Sequence, residues 1–345
     1  AIREWFERNL PEMEFEGQRL AECLTPQMKE DFYNFEGNAQ ALRLVSKLHF
    51  LVDEFGMNLT YALLNTIVKY PVSSVEINKE TGDIKSKKMG YYFADQEIFE
   101  DIQKSTGTNG NRHPLTFILE AADDIAYKTA DIEDAFIKGL LSYYQLREEL
   151  KALDIKGDKT SINPLELLDK QYNKGIHNHV ENPEEYAVKN WIVRLQGSLI
   201  NCATFGFTSN YNEIMNGTYK KDLFHETFAE QLMDLLGQIA YKHVFISSTI
   251  YKMEVAESVI INYLMDQFME AAVKYDIGKP LNSIDLRMMS FISDNYKNAY
   301  HYHGAGKSNI ERLYLRLLLV TDFICGMTDS YAKRLYQELR AVHRE

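Results

Sequence analysis

The chain has 345 residues, 45% hydrophobic and 12% aromatic, enough to bury a sizeable core in one large domain or two ordinary ones. Its net charge of −12 excludes a chain-wide basic face for nucleic acid, and seven prolines and 18 glycines are few for the frequent turns of a β-sandwich or barrel. Cys23, Cys202 and Cys325 are scattered and odd in number, which excludes a CxxC zinc pair and a disulfide framework and fits reduced thiols in the cytoplasm. No apolar run approaches the roughly 18 residues of a membrane span and no signal-peptide pattern is read in these residues, so the expectation is a soluble, cytoplasmic protein.

Taken in order, residues 1–10 (AIREWFERNL) read as a helix with Ile2, Trp5, Phe6 and Leu10 on one face. A chain that starts in mid-helix, without cap or initiator Met, is expected to be a truncated or processed product. Residues 38–55 are helical again, with Leu42, Val45, His49, Val52 and Phe55 as the stripe and Gly56 as its stop. Asn58 or Thr60 caps the next helix, which runs to about Tyr70 before Pro71. Residues 72–93 alternate apolar and polar around Thr81-Gly82-Asp83, the pattern of a short β-hairpin or loop. Helical periodicity resumes near Asp95, and a polar stretch over 105–114 leads to a helix starting near Leu115. Further helical segments follow, broken at 157–164, Asn182-Pro183, Gly206, Asn216-Gly217, 278–280 and 304–306. With no internal repeat and no convincing linker, the expectation is an all-α fold forming a single domain over 1–345.

The helix starting near Leu115 carries the chemistry. Asp123, Tyr127 and Asp131 stand at i, i+4 and i+8, so a carboxylate, a phenol and a second carboxylate share one face. Spacing alone leaves each with an ordinary alternative: a solvated or dipole-paired carboxylate, or a core tyrosine. His177 and His179 form an isolated HxH pair, a weak metal signal read as a surface feature. The stretch 304–308 (GAGKS) lacks the spacing of a phosphate loop and is rejected as one.

The segment HPLTFILEAADDIAYKTADIEDAF (113–136) resembles the bacterial dGTPases, metal-dependent enzymes of the HD-domain superfamily. So, in the family's order, do NFEGNAQALRLV (34–45), GMNLTYALLNTIVKYP (56–71), KKMGYY (87–92), KHVF (242–245) and GMTDSYA (326–332). The resemblance implies an HD-domain helical fold with an extended C-terminal helical region. It implies hydrolysis of dGTP, or of another dNTP, to deoxynucleoside and tripolyphosphate with Mn²⁺, Mg²⁺ or iron.

By the same resemblance Asp123 is the distal metal ligand, Tyr127 packs on the sugar with its hydroxyl toward the phosphates, and Asp131 meets the 3′-hydroxyl. Lys69, Tyr70 and Lys88 grip the triphosphate. Asn38 orients a phosphate or simply caps a helix. Phe245, Glu254 and Arg287 meet the base, Glu254 fitting a solvated helix position equally well. A homo-oligomer, a hexamer by resemblance, and a single-stranded-DNA effector are the implied partners, with no membrane.

The chain also departs from the pattern. None of its nine histidines is followed by Asp, so the His and His-Asp metal motifs are missing, and the chain looks like the C-terminal three quarters of the family's length. Two alternatives follow: an inactive or regulatory fragment serving oligomerisation or single-stranded DNA binding, or an HD phosphodiesterase on another nucleotide. A further expectation is that the apolar faces of the first helix and of the Asp123 helix lie uncovered.

Overall fold

The computed structural model describes residues 1–50, 53–153 and 162–340. Val52 and most of the break read at 157–164 fall outside them. The described residues are mainly helical, as the periodicity implies, and their strands are the two-residue pair Glu14–Phe15 and Gln18–Arg19. That hairpin escapes the sequence pattern because it is barely longer than its turn. Glu16 and Gly17 take φ of 53° and 82°, the left-handed pair that a tight two-residue connection needs.

The hairpin expected over 72–93 does not form. Three short 3₁₀ turns stand there, Ser74–Glu76, Ile84–Ser86 and Phe93–Asp95. Side chains capture the backbone before a ladder can. Ser73 and Glu76 close a capping box, and the Asp83 carboxylate accepts from the Lys85 amide at 3.0 Å. The Ser86 hydroxyl donates to the Asn78 carbonyl at 2.9 Å. Alternation in this stretch reflects local capping rather than a pleat.

The helix read over 38–55 also ends early. Gly37–Arg43 is α-helical, Leu44–Leu48 is one π turn, and the helix stops at His49. Gly56, at φ 62°, lies where an added Cβ would come within 2.4 Å of the Val45 carbonyl, and the Met57 amide donates to that oxygen at 2.8 Å. The return of the chain onto Val45 therefore ends the helix a turn before the apolar pattern does. Thr60 caps Tyr61–Ile67 as expected.

The residues gather into two compact units, Ala1–His113 with Glu254–Glu345, and Pro114–Met253. In the first, the Ile2–Asn9 helix is not uncovered. Trp5, Phe6 and Leu10 are buried, and Phe6 stacks on Phe32 at 4.3 Å within a cluster that includes Leu264, Phe268 and Leu318. Two later helices, Ser248–Lys274 and Asn309–Cys325, supply that cover.

Charges lie inside this unit. Arg43 donates from Nε and Nη2 to Asp322 at 2.7–2.9 Å and from Nη1 to Asp95 at 3.3 Å. Lys47 reaches Asp95 at 3.1 Å, and Gln40 donates to Asp322 at 2.8 Å. Nearby, the buried Asp31 carboxylate accepts from Ser74 at 2.6 Å, from the Phe93 amide at 2.7 Å and from the Tyr314 hydroxyl.

Two of the groups in this unit titrate against each other. Burial, reinforced by the Lys47 and Arg43 charges, holds the His303 imidazole down at about 4, from an ordinary 6.5. Its contribution to stability is present above pH 6.5 and is lost as pH falls toward 4. Burial pushes the Asp31 carboxyl up to about 6 from 3.8, so its contribution is present below 3.8 and is lost as pH rises through 6. The two slopes oppose each other across pH 4 to 6. We expect the stability difference between the native protein and His303→Gln to grow by about 2 kcal/mol between pH 4 and 7, allowing for the part of the ring that water reaches. Urea titrations at the two pH values measure it, and a difference independent of pH would refute it.

In the second unit, the Pro114–Ile137 helix packs against Pro183–Ser209 and Phe228–Ala240, and Pro164–His177 packs against Pro183–Ser209. Trp191 is fully buried and its indole donates to the Pro164 carbonyl at 2.8 Å. Gln196 donates to Thr129 Oγ1 at 2.8 Å, pinning the first pair of helices to each other.

Candidate functional site

Pro114–Ile137 is one unbroken 24-residue helix, and two of its faces differ sharply. Ala121, Ile125, Thr129 and Ile132 are buried. Asp123, Tyr127 and Asp131 stand two residues past Ala121, Ile125 and Thr129 respectively, about 200° around the axis, so they point away from that face. They span about 12 Å along the helix. Tyr127 is 68% exposed, while Asp123 and Asp131 are half-buried. Partial burial, and then the charge of Asp134, raise the Asp131 carboxyl above the ordinary carboxylate range. On the flank of this helix Leu115, Ile118 and Leu119 are exposed, and an apolar pocket of about 180 Å³ opens between Ile118, Ile125, Ile200 and Phe207. The apolar stripe is thus covered at Ala121 and Ile125 and open toward the start of the helix.

The phosphate-gripping candidates lie in the other unit, and the backbone brings them together. The Val72 amide donates to the Tyr70 carbonyl at 2.8 Å, and the Gly90 amide donates to the Val72 carbonyl at 3.0 Å. Gly90 approaches so closely that an added Cβ would lie 1.8 Å from the Tyr70 oxygen. Only glycine fits, and its closeness sets Lys88 beside the end of the Lys69 and Tyr70 segment. Tyr70 is buried, whereas Lys69 and Lys88 are half-exposed. Gly90→Ala is expected to part the two segments and cost about 2 kcal/mol of stability, a typical overpacking penalty that thermal unfolding would read.

Glu36 is the residue that sequence reasoning missed. Its Oε2 pairs with Lys88 at 3.0 Å and its Oε1 accepts from Asn38 Nδ2 at 2.9 Å. Asn38 is therefore not the cap of the Gly37–Arg43 helix, whose N-cap is Glu36 without a side-chain bond. The signal was present in the EGN step, where a carboxylate two residues before an amide sits at a helix start.

The base candidates stand on three different elements. Phe245 ends the π turn Tyr241–Phe245 and is 42% exposed. Glu254 is exposed on Ser248–Lys274, and Arg287 is exposed on Ser283–Phe291. His177 and His179 are both exposed, and the 304–308 stretch closes one helix and caps the next through Ser308. No helix among the described residues is long and apolar enough to cross a membrane.

A divalent ion needs four to six donors in fixed geometry. Among the described residues no three of His, Cys, Asp and Glu gather to supply them. Asp123 alone does not fit a complete metal centre.

Comparison with known proteins gives the family. No family model matches the chain. A deoxyguanosinetriphosphate triphosphohydrolase-like protein of Listeria monocytogenes is 44% identical over 345 residues, covering 99% of this chain and 73% of its own length. The deoxyguanosinetriphosphate triphosphohydrolases of Enterobacter sp. (strain 638) and Klebsiella pneumoniae are 30% and 29% identical, each over 95% of this chain and 68% of their own length. The match to the Listeria protein runs through all six segments that carry the sequence resemblance, and the chain belongs to the deoxyguanosinetriphosphate triphosphohydrolase family.

Proposed function

We propose that the protein hydrolyses a deoxynucleoside triphosphate, dGTP first among them, releasing the deoxynucleoside and tripolyphosphate. The observation that carries this reading is the row of half-buried Asp123, exposed Tyr127 and half-buried Asp131 on a helix whose opposite face is core. Names of relatives at 29–44% identity add to it. Tyr127, with an exposed ring, packs against the sugar and leaves no room for a 2′-hydroxyl, selecting deoxyribose by exclusion. Asp131 accepts the hydrogen bond of the 3′-hydroxyl. Lys69 and Lys88 offset the triphosphate charge, Glu36 holding Lys88 in place until the substrate competes for it. Asp123 contributes one donor to a divalent ion whose remaining donors lie outside these described residues.

Incubating the protein with dGTP and Mn²⁺, with chromatography of deoxyguanosine and tripolyphosphate, tests the reading. Both products in equal amount are expected, with GTP far slower. Release of pyrophosphate or inorganic phosphate instead would exclude it. Absence of any turnover would favour the alternative of a non-catalytic module, in line with the missing three-donor cluster.

A further inference from the structure

Arg316 sits in the middle of the Asn309–Cys325 helix, inside the apolar run LYLRLLLV, and is 2% exposed. Its Nε and Nη2 atoms are buried and have no hydrogen-bond partner among the described residues. The Tyr300 hydroxyl contacts the guanidinium, and the Phe15 ring lies 5.5 Å from its Cζ. A buried guanidinium without an anion is costly, and such a group calls for a missing partner. The neighbouring carboxylate does not serve. Asp276 is taken by Arg312, one turn earlier, and by the Tyr300 hydroxyl at 3.0 Å. Glu16, at the rim, is exposed and forms no ion pair with Arg316 among the described residues.

Beside these groups a pocket of about 360 Å³ opens, lined by Phe15, Glu16, Asp276, Asn309, Arg312 and Arg316. That is far more room than one water takes and is the size of a small-ligand site. Two guanidiniums stand one helical turn apart on the pocket wall, Arg312 paired with Asp276 and Arg316 over the Phe15 ring without an ion pair among the described residues, and the exposed Glu16 shares the lining. We propose that this pocket binds a small molecule bearing an oxyanion, phosphate or carboxylate, through Arg316 and Arg312, with the Phe15 ring against its body. The bidentate fork of arginine matches either group. The pocket belongs to the unit that does not carry Asp123, and the proposal does not depend on the hydrolytic reading.

Isothermal titration with sodium phosphate and, separately, sodium acetate tests it, with sodium chloride as the ionic control. One of the two anions is expected to bind saturably with a Kd of about 1 mM or tighter, and the anion that binds names the group. Arg316→Met is expected to abolish the binding while keeping or raising the melting temperature in chloride, because a buried unpaired charge gives way to a hydrophobe. Asn309→Glu, on the exposed first turn, sets a carboxylate at the mouth and is expected to weaken binding at least about 10-fold by like-charge repulsion. No saturable heat with either anion up to about 10 mM, or unchanged binding in both variants, overturns the proposal.

Discussion

Asp322→Ala is expected to cost 3–5 kcal/mol, a large part of the stability of an ordinary domain. The substitution leaves Arg43, fully enclosed, with a single contact to Asp95 at 3.3 Å in place of the two-pronged grip at 2.7–2.9 Å. It also strands Gln40. The cost comes from the orphaned charge rather than from the lost attraction. Arg43→Met combined with Asp322→Ala should therefore recover much of it, whereas two independent contacts would add. Urea unfolding of the three variants decides between these. A double variant as unstable as the sum of the singles would show that the network acts through packing alone.

The second large effect falls on turnover. Once the protein releases tripolyphosphate from dGTP, Asp123→Ala is expected to lower the rate at least about 100-fold, since even second-layer supports of a metal site cost 10- to 100-fold. Tyr127→Phe, which removes one hydrogen bond to a charged group, is expected to cost roughly 10-fold. Tyr127 is 68% exposed and Asp123 points off the core face, so both variants should unfold within about 1 kcal/mol of the parent. Wild-type release by Asp123→Ala would remove that residue from the mechanism. A matching collapse of stability would make its role structural.

The helix of Asp123 was legible because nothing competes with its 3.6-residue period. The face shared by Asp123, Tyr127 and Asp131 follows from counting along 24 helical residues, whereas the apolar stripe does not: Leu115, Ile118 and Leu119 are exposed and Phe117, Ala121, Ile125 and Ile132 form the buried face. Residues 72–93 were misread because alternation is also what a chain of small caps produces, and Ser73, Glu76 and Asp83 settle the matter through bonds only a few residues long. The early end of the second helix escaped for another reason. Gly56 folds back on Val45, a contact that helical periodicity does not encode. The pairing of Glu36 with Lys88 and the buried set Arg43, Asp95 and Asp322 were beyond local pattern, since the partners lie 52 to 279 residues apart and a charge carries no mark of its distant mate, although the EGN step did mark Glu36 as a helix-start carboxylate.

Those long separations have a consequence for how the molecule is made. Asp31 meets Tyr314, Arg43 meets Asp322 and Trp5 meets Asp266, each across more than 250 residues. During synthesis residues 1–113 leave the ribosome before the helices that close their core, and they wait through the whole of Pro114–Met253, a compact unit in its own right. The middle of the chain is thus free to fold first, while Phe6 and Phe32 stay open to misassociation until the Asn309–Cys325 helix emerges. Nascent chains stopped before that helix should engage holding chaperones, and those stopped after it should not.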